Sequence, residues 1–189
     1  MSGLKVLEGK VCPVVRDDVD TDQIIPARYL KATTKEGIGE GLFADWAKEP
    51  GFPTRDPRFI GAPILLVGRN FGCGSSREHA AWALTQNGFR VVIARSFADI
   101  FRQNALKNGI LPLALSDADH AAIVAFVEAD ASASLTVDLP NGRLSFADRS
   151  VGFSVESFAK QCLVEGVDEL GYILSRIALV QAWEAQFEV

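Results

Sequence analysis

Two histidines and three cysteines are all that this 189-residue chain offers a soft metal. Cys12, Cys73 and Cys162 stand far apart with no C-x-x-C pair among them. Neither a zinc site nor a self-contained iron–sulfur site is therefore expected, and reduced thiols of a reducing cytosol are the simple reading. His79 and His120 are too isolated to suggest a metal centre. Basic residues are also in short supply. Nineteen Lys and Arg against 24 Asp and Glu leave a net charge of −5, which argues against nucleic-acid binding. An anionic substrate must then be gripped by a few local groups, not by the overall field. No apolar run approaches a membrane span and no signal peptide precedes Leu4, so a cytoplasmic, membrane-free protein is expected. Internal repeats and low-complexity segments are absent too.

What the chain has is apolar substance. Hydrophobic residues make up 48% of it, enough for a sizeable core in one domain, or one domain with an appendage. Its most informative stretch is NFGCGSSREHA, residues 70–80. The apolar run before it, 62–68 (APILLVG), predicts a buried strand. Residues 77–87 (REHAAWALTQN) predict a helix ended by Gly88. Gly72, Gly74, Ser75 and Ser76 lie between the two. That is the layout of an anion site. Glycines let the backbone approach a ligand, a helix start attracts negative charge, and Arg77 adds a planar fork for a carboxylate or phosphate.

Known variants of such a turn fail here. No lysine follows the glycines as in a phosphate loop, and Arg77 stands where a dinucleotide fingerprint has its third glycine. Cys73 and Arg77 flank Ser75 where a nucleophile elbow has glycines. The bland alternative is a tight turn with Ser75 or Ser76 as helix N-cap, and spacing alone leaves both readings open.

Taken in order, 4–15 (LKVLEGKVCPVV) reads as a strand pair or a bulged strand. The acidic run Asp17, Asp18, Asp20 and Asp22 follows. A calcium loop starting at Asp18 would need Gly where Gln23 stands and Glu where Tyr29 stands, so Asp17 and Asp18 read as a solvated acidic turn. Residues 33–41 are loop-like, 42–48 predict a short helix, and 49–58, with Pro50, Pro53 and Pro57, an irregular excursion. From 61 onward the pattern turns regular. Strands over 90–94 and 110–115 alternate with helices over 97–108 and 117–129, with Ser116 as candidate N-cap, and this predicts a parallel sheet with crossovers. His120, in the polar first turn of the last of these helices, reads as a solvated surface residue. Residues 135–139 and 143–146 around Asn141-Gly142 predict an antiparallel hairpin. The tail, 154–189, reads as two helical stretches broken near Gly166 and Gly171, with Cys162 buried in the first.

The stretch 70–84 (NFGCGSSREHAAWAL) resembles the signature of the aconitase-type swivelling-domain family, in its separate-subunit isopropylmalate dehydratase branch. Residues 20–30 (DTDQIIPARYL), 94–113 and 158–174 resemble that branch as well, so the resemblance covers nearly the whole chain. It implies an α/β fold, a three-layer β/β/α swivelling domain with a parallel and an antiparallel sheet over 1–153. Residues 154–189 would be a helical extension packed on the same domain. It also implies a hydro-lyase that isomerises 2-isopropylmalate to 3-isopropylmalate through isopropylmaleate in leucine biosynthesis. The 4Fe-4S cluster that polarises the departing hydroxyl would belong to a large partner subunit, with no cofactor on this chain. Ser75 would be the base, acting as alkoxide on the carbon-bound proton. Ser76 and Arg77 would hold substrate carboxylate, Asp22 would be the active-site aspartate of a T-D-x-I-x-P motif, and Gly74 and Leu30 would complete the substrate site. Cys73 reads as a packing residue and Glu78 as a support of the loop. His79 reads likewise, or as a group that orients the loop.

One departure bears on the substrate. Aconitases carry an arginine shortly after the position of Lys31 that helps bind a third carboxylate, where this chain has Ala32, Thr33 and Thr34. Loss of that charge suits an isopropyl group against an apolar wall that includes Leu30, since an unpaired buried cation there would be costly. The rivals are a related dehydratase for homoaconitate, citraconate or dimethylmalate, and a dicarboxylate-binding module without catalysis.

Overall fold

The computed structural model describes residues 2–30 and 36–186. Ala32, Thr33 and Thr34, on which the reading of the missing arginine rests, lie outside the described residues. Over the described residues seven strands form one sheet in the order β4-β3-β2-β1-β5-β6-β7. Strand β1, Val6–Val14, is its hinge. Its first half pairs antiparallel with β5 (Ser134–Asp138), Val6 opposite Asp138, and its second half pairs parallel with β2 (Ile64–Val67), Val11 opposite Ile64. The strand pair or bulged strand expected at 4–15 is thus a single strand that changes partner midway. Strands β3 (Val91–Ala94) and β4 (Leu111–Ala114) continue the parallel part. Strands β6 (Arg143–Phe146) and β7 (Arg149–Gly152) continue the antiparallel part. The parallel and antiparallel parts of the expected α/β architecture are both present, as halves of one sheet joined through β1.

Every residue of β2 and β3 is buried, which requires cover on both faces. Alternation along the strands divides their side chains between two cores. Leu65, Val67, Val92 and Ala94 face α2 (Glu78–Gln86), α3 (Asp99–Lys107) and the loop-rich front, including Ile24, Ile25 and Phe43. Ile64, Leu66, Val91 and Ile93 face the antiparallel strands through Leu135, Val137 and Leu144, with Ile123 and Val127 of α4 (Asp117–Ala129). Ser116 caps α4, its hydroxyl accepting from the Asp119 N–H at 3.1 Å.

Four local readings need correction. His120 is buried, its Nε2 2.6 Å from the Val67 carbonyl, because this face of α4 lies against the end of β2. The helix expected over 97–108 begins only at Asp99, since Phe97 pairs with Phe71 in an extended bridge and packs on Phe101. The helix expected over 42–48 is interrupted by Phe43 at φ +46°, whose N–H donates to the Ile24 carbonyl. Only Trp46–Lys48 winds there, as a 3-10 turn. In the tail, Gly166 ends α5 (Ser157–Glu165) as expected, but Gly171 lies within α6 (Glu169–Leu174), where its N–H donates to Asp168. The second break falls at Ser175 and Arg176, before α7 (Ile177–Glu184). Cys162 and Leu163 of α5 are buried, whereas α6 and α7 bury none of their described residues. Among the described residues no helix is long and apolar enough to cross a membrane.

Candidate active site

Strands β1 and β2 are parallel neighbours, so the chain leaves both at the same end of the sheet, where open α/β sheets tend to bind ligands. The two outgoing loops are fastened to each other by backbone hydrogen bonds. Gly68 N–H donates to Arg16 O (3.1 Å), Asp18 to Arg69 O (2.8 Å), Gly72 to Val19 O (2.8 Å) and Thr21 to Cys73 O (2.9 Å).

The acidic run resolves into separate tasks on this seam. Asp17 accepts from the Arg69 N–H at 2.7 Å and from Arg95 Nη2 at 2.6 and 2.7 Å. Those bonds, Arg95 first, hold its carboxyl below the ordinary carboxylate range. Asp18 accepts from Asn70 Nδ2 at 2.9 Å and Arg69 Nη2 at 3.2 Å, and its carboxyl is likewise lowered, Asn70 contributing most. Asp20 caps α1, Thr21–Ile24, through a reciprocal box with Gln23. Asp22 reaches Arg77, pairing Oδ1 with Nη1. Asp17 and Asp18 are exposed yet engaged, so the solvated-turn reading of them is corrected here.

The serine loop owes its path to its glycines. Gly72 and Gly74 take φ of +78° and +90°, which side chains rarely adopt, and a Cβ on Gly72 would run into the Phe101 ring. The N-cap of α2 is Arg77, and no side chain caps that helix among the described residues. Ser75 and Ser76 are both exposed and neither is the cap, which removes the bland reading of the pair. Ser75 instead meets Thr21, which is only 2% exposed. The Thr21 hydroxyl donates to the Ser75 carbonyl at 3.1 Å and lies 3.4 Å from Ser75 Oγ. The same carbonyl accepts the Arg77 N–H at 2.9 Å.

The structure therefore brings Ser75, Ser76, Arg77, Asp22 and Gly74 to one seam. Leu30 closes the 3-10 turn Ala27–Tyr29 and packs half-buried against the helix-side core. His79 packs on Trp82 in a tilted contact with ring centroids 4.6 Å apart, and among the described residues it makes no hydrogen bond to the loop. Glu78 accepts from Asn108 at 2.9 Å and Trp82 at 3.2 Å, tying α2 to the end of α3. Thr21 sits inside an acidic run, and its signal in the sequence is limited to the T-D pair it forms with Asp22.

The three cysteines are free thiols in separate settings. Cys12 is buried in the helix-side core, its thiol pushed up to about 12 by burial and then by Asp56. Cys73 sits in the loop, where burial first and then Asp20 and Asp18 raise its thiol. Among the described residues no group of three or more His, Cys, Asp or Glu is placed to hold a metal ion. A groove of about 380 Å³ runs between α3 and the tail, lined by Gln103, Leu106, Phe158 and Cys162, and includes none of the site residues.

Residues 1–118 match the profile of a family described as the aconitase C-terminal domain. The chain is 51% identical over 179 residues to the 3-isopropylmalate dehydratase small subunit of Solibacter usitatus, covering 94% of this chain and 91% of that one. The small subunit of the same name from Herpetosiphon aurantiacus is 46% identical over 185 residues, covering 98% and 94%. A crystal structure of 3-isopropylmalate dehydratase from Methanocaldococcus jannaschii superposes with a TM-score of 0.71 at 27% identity, covering 95% of this chain and 99% of that one.

Proposed function

Since this chain belongs to the aconitase C-terminal domain family, among the small subunits of 3-isopropylmalate dehydratase, we propose that its serine loop supplies the base and the carboxylate grip of that enzyme. The reaction is the isomerisation of 2-isopropylmalate to 3-isopropylmalate through isopropylmaleate, in leucine biosynthesis and in the cytoplasm. Ser75, as alkoxide, takes the carbon-bound proton, and on rehydration its hydroxyl returns one. Ser76 and Arg77 hold a substrate carboxylate. Asp22 pairs with Arg77 Nη1 and in this reading orients the fork, leaving the other N–H donors of the guanidinium for the ligand. An alkoxide beside α2 gains from the positive end of the helix and from the guanidinium. A 4Fe-4S cluster carried by the large subunit would supply Lewis acidity toward the departing hydroxyl. Gly74 gives the substrate close access to the backbone, and Leu30 belongs to the wall that meets the isopropyl group.

We take residues 1–153 as the swivelling domain and 154–189 as its helical extension. The bond from Leu4 N–H to the Leu163 carbonyl supports their packing together. Neither nucleic acid nor membrane is a partner in this reading, in keeping with the net charge of −5.

The observation that carries the proposal is that Ser75 and Ser76 stand exposed beside a paired Arg77 without capping the helix they precede. Anaerobic co-expression with the large subunit, followed by assay on isopropylmalate, citraconate, homoaconitate and 2,3-dimethylmalate, tests it. Preferred turnover of isopropylmalate is the expected result. A preference for another malate would reassign the substrate, and binding without turnover would make the chain a dicarboxylate-binding module.

A further inference from the structure

We propose that Thr21 is a positioning residue for Ser75, its hydroxyl exchanging one hydrogen-bond partner for another as Ser75 changes charge. The inference rests on the reading of Ser75 as the base. Thr21 is buried, so its hydroxyl has protein partners in place of solvent. It carries one hydrogen and faces two acceptors, the Ser75 carbonyl at 3.1 Å and Ser75 Oγ at 3.4 Å. While Ser75 is a neutral alcohol, Thr21 donates to the carbonyl and its lone pairs are open to the Ser75 O–H. Once Ser75 has lost its proton to solvent, Oγ can only accept. Rotation about the Thr21 Cβ–Oγ bond then turns its hydrogen from the carbonyl to the alkoxide. No proton leaves Thr21.

The exchange strands no buried acceptor, because the Ser75 carbonyl still receives the Arg77 N–H at 2.9 Å. The pivot is held as well, since the Thr21 N–H donates to the Cys73 carbonyl at 2.9 Å and Asp20 caps the turn that begins at Thr21. When Ser75 takes the substrate proton, the same rotation runs in reverse. Thr21 thereby favours the alkoxide over the alcohol without touching substrate, and such distances tend to tighten when a ligand closes the site.

The test uses the enzyme assembled with its large subunit and compares Thr21→Val, Thr21→Ala and Thr21→Ser. A hydrogen bond to a charged oxygen corresponds to roughly 10- to 100-fold. Thr21→Val and Thr21→Ala should lose about that factor in kcat with KM little changed, and the acidic limb of the kcat–pH profile should move to higher pH. Thr21→Ser keeps the hydroxyl and should restore both rate and profile. Parental kcat in the Val and Ala variants would overturn the proposal. So would a Ser variant as slow as Val, which would make the methyl the part that matters. Failure of both Val and Ala variants to assemble would also overturn it, because the retained Arg77 bond predicts assembly. Ser75→Ala, run alongside, separates the two ideas. Parental kcat there removes Ser75 as base, whereas a slow Ser75→Ala beside a normal Thr21→Val removes only the role of Thr21.

Discussion

Replacing Ser75 by alanine should separate folding from chemistry more sharply than any other change in this chain. The side chain is exposed, does not cap α2, and is within reach of one hydroxyl at 3.4 Å. The carbonyl at 75 keeps both of its donors, from Arg77 and Thr21, whatever the side chain. A surface change of this kind stays within about 0.5 kcal/mol. At this chain length that corresponds to roughly 1–2 °C in Tm. Loss of a general base, in contrast, costs at least about 10²-fold in rate. That is about 2.7 kcal/mol in the barrier, several times the stability effect. The assay is steady-state kinetics in the assembled enzyme, with substrate binding followed separately and Tm measured on the same preparation. Expected are a collapsed kcat, a nearly unchanged Kd and a nearly unchanged Tm. A near-normal kcat would refute the assignment, and a Tm lower by many degrees would show that the hydroxyl serves the fold.

Arg77→Lys keeps a charge for Asp22 but loses the planar fork, so KM should rise by about tenfold or more while kcat changes little; a fall in kcat with KM unchanged would instead place the Arg77 contact in the transition state alone. Asp17 has a carboxyl lowered by Arg95 and the Arg69 N–H, so its contribution is present above the unfolded carboxylate range of about 4 and is lost as pH falls through the depressed folded value. The protection of the Arg69 amide, its exchange measured against the intrinsic rate at each pH, should therefore stay high at neutral pH and fall only in acid, whereas Asp17→Asn should lower it at neutral pH; identical protection in the two would dismiss the clamp. The Cys73 thiol is raised by burial and by Asp20 and Asp18, so alkylation at pH 8 should run slower than in the unfolded chain, with its alkaline rise displaced upward; labelling at the unfolded rate would contradict this.

The parallel half of the fold was legible because its signals are local. Strands such as Ile64–Val67 are short apolar runs, and their shortness, branched side chains and flanking Pro63 and Gly68 distinguish them from buried helix. The hairpin was legible from Asn141-Gly142, but β7 was not, since Arg149–Gly152 has a single apolar residue and lies at the sheet edge. Other misses came from contacts between distant segments. Nothing near Phe97 shows that Phe71 will pair with it, and His120 looks polar until α4 is laid against Val67.

The site was half legible for the same reason. Glycines and serines before a helix mark a candidate ligand loop, and an arginine adds to it, all within 72–77. The acidic run could not be sorted without its partners. Asp17, Asp18, Asp20 and Asp22 are chemically alike, yet one braces Arg95, one Asn70, one its own helix and one Arg77. What distinguishes them is which way each faces across a seam between residues more than fifty positions apart, as the Thr21–Ser75 contact also is. Thr21 carries no charge to draw attention, and a threonine beside an aspartate reads as a turn residue anywhere. Its burial is the fact that matters, and burial here is a property of two loops together. A candidate ligand loop can thus be marked by inspection of one segment. The threonine that meets its serine must be found across the seam.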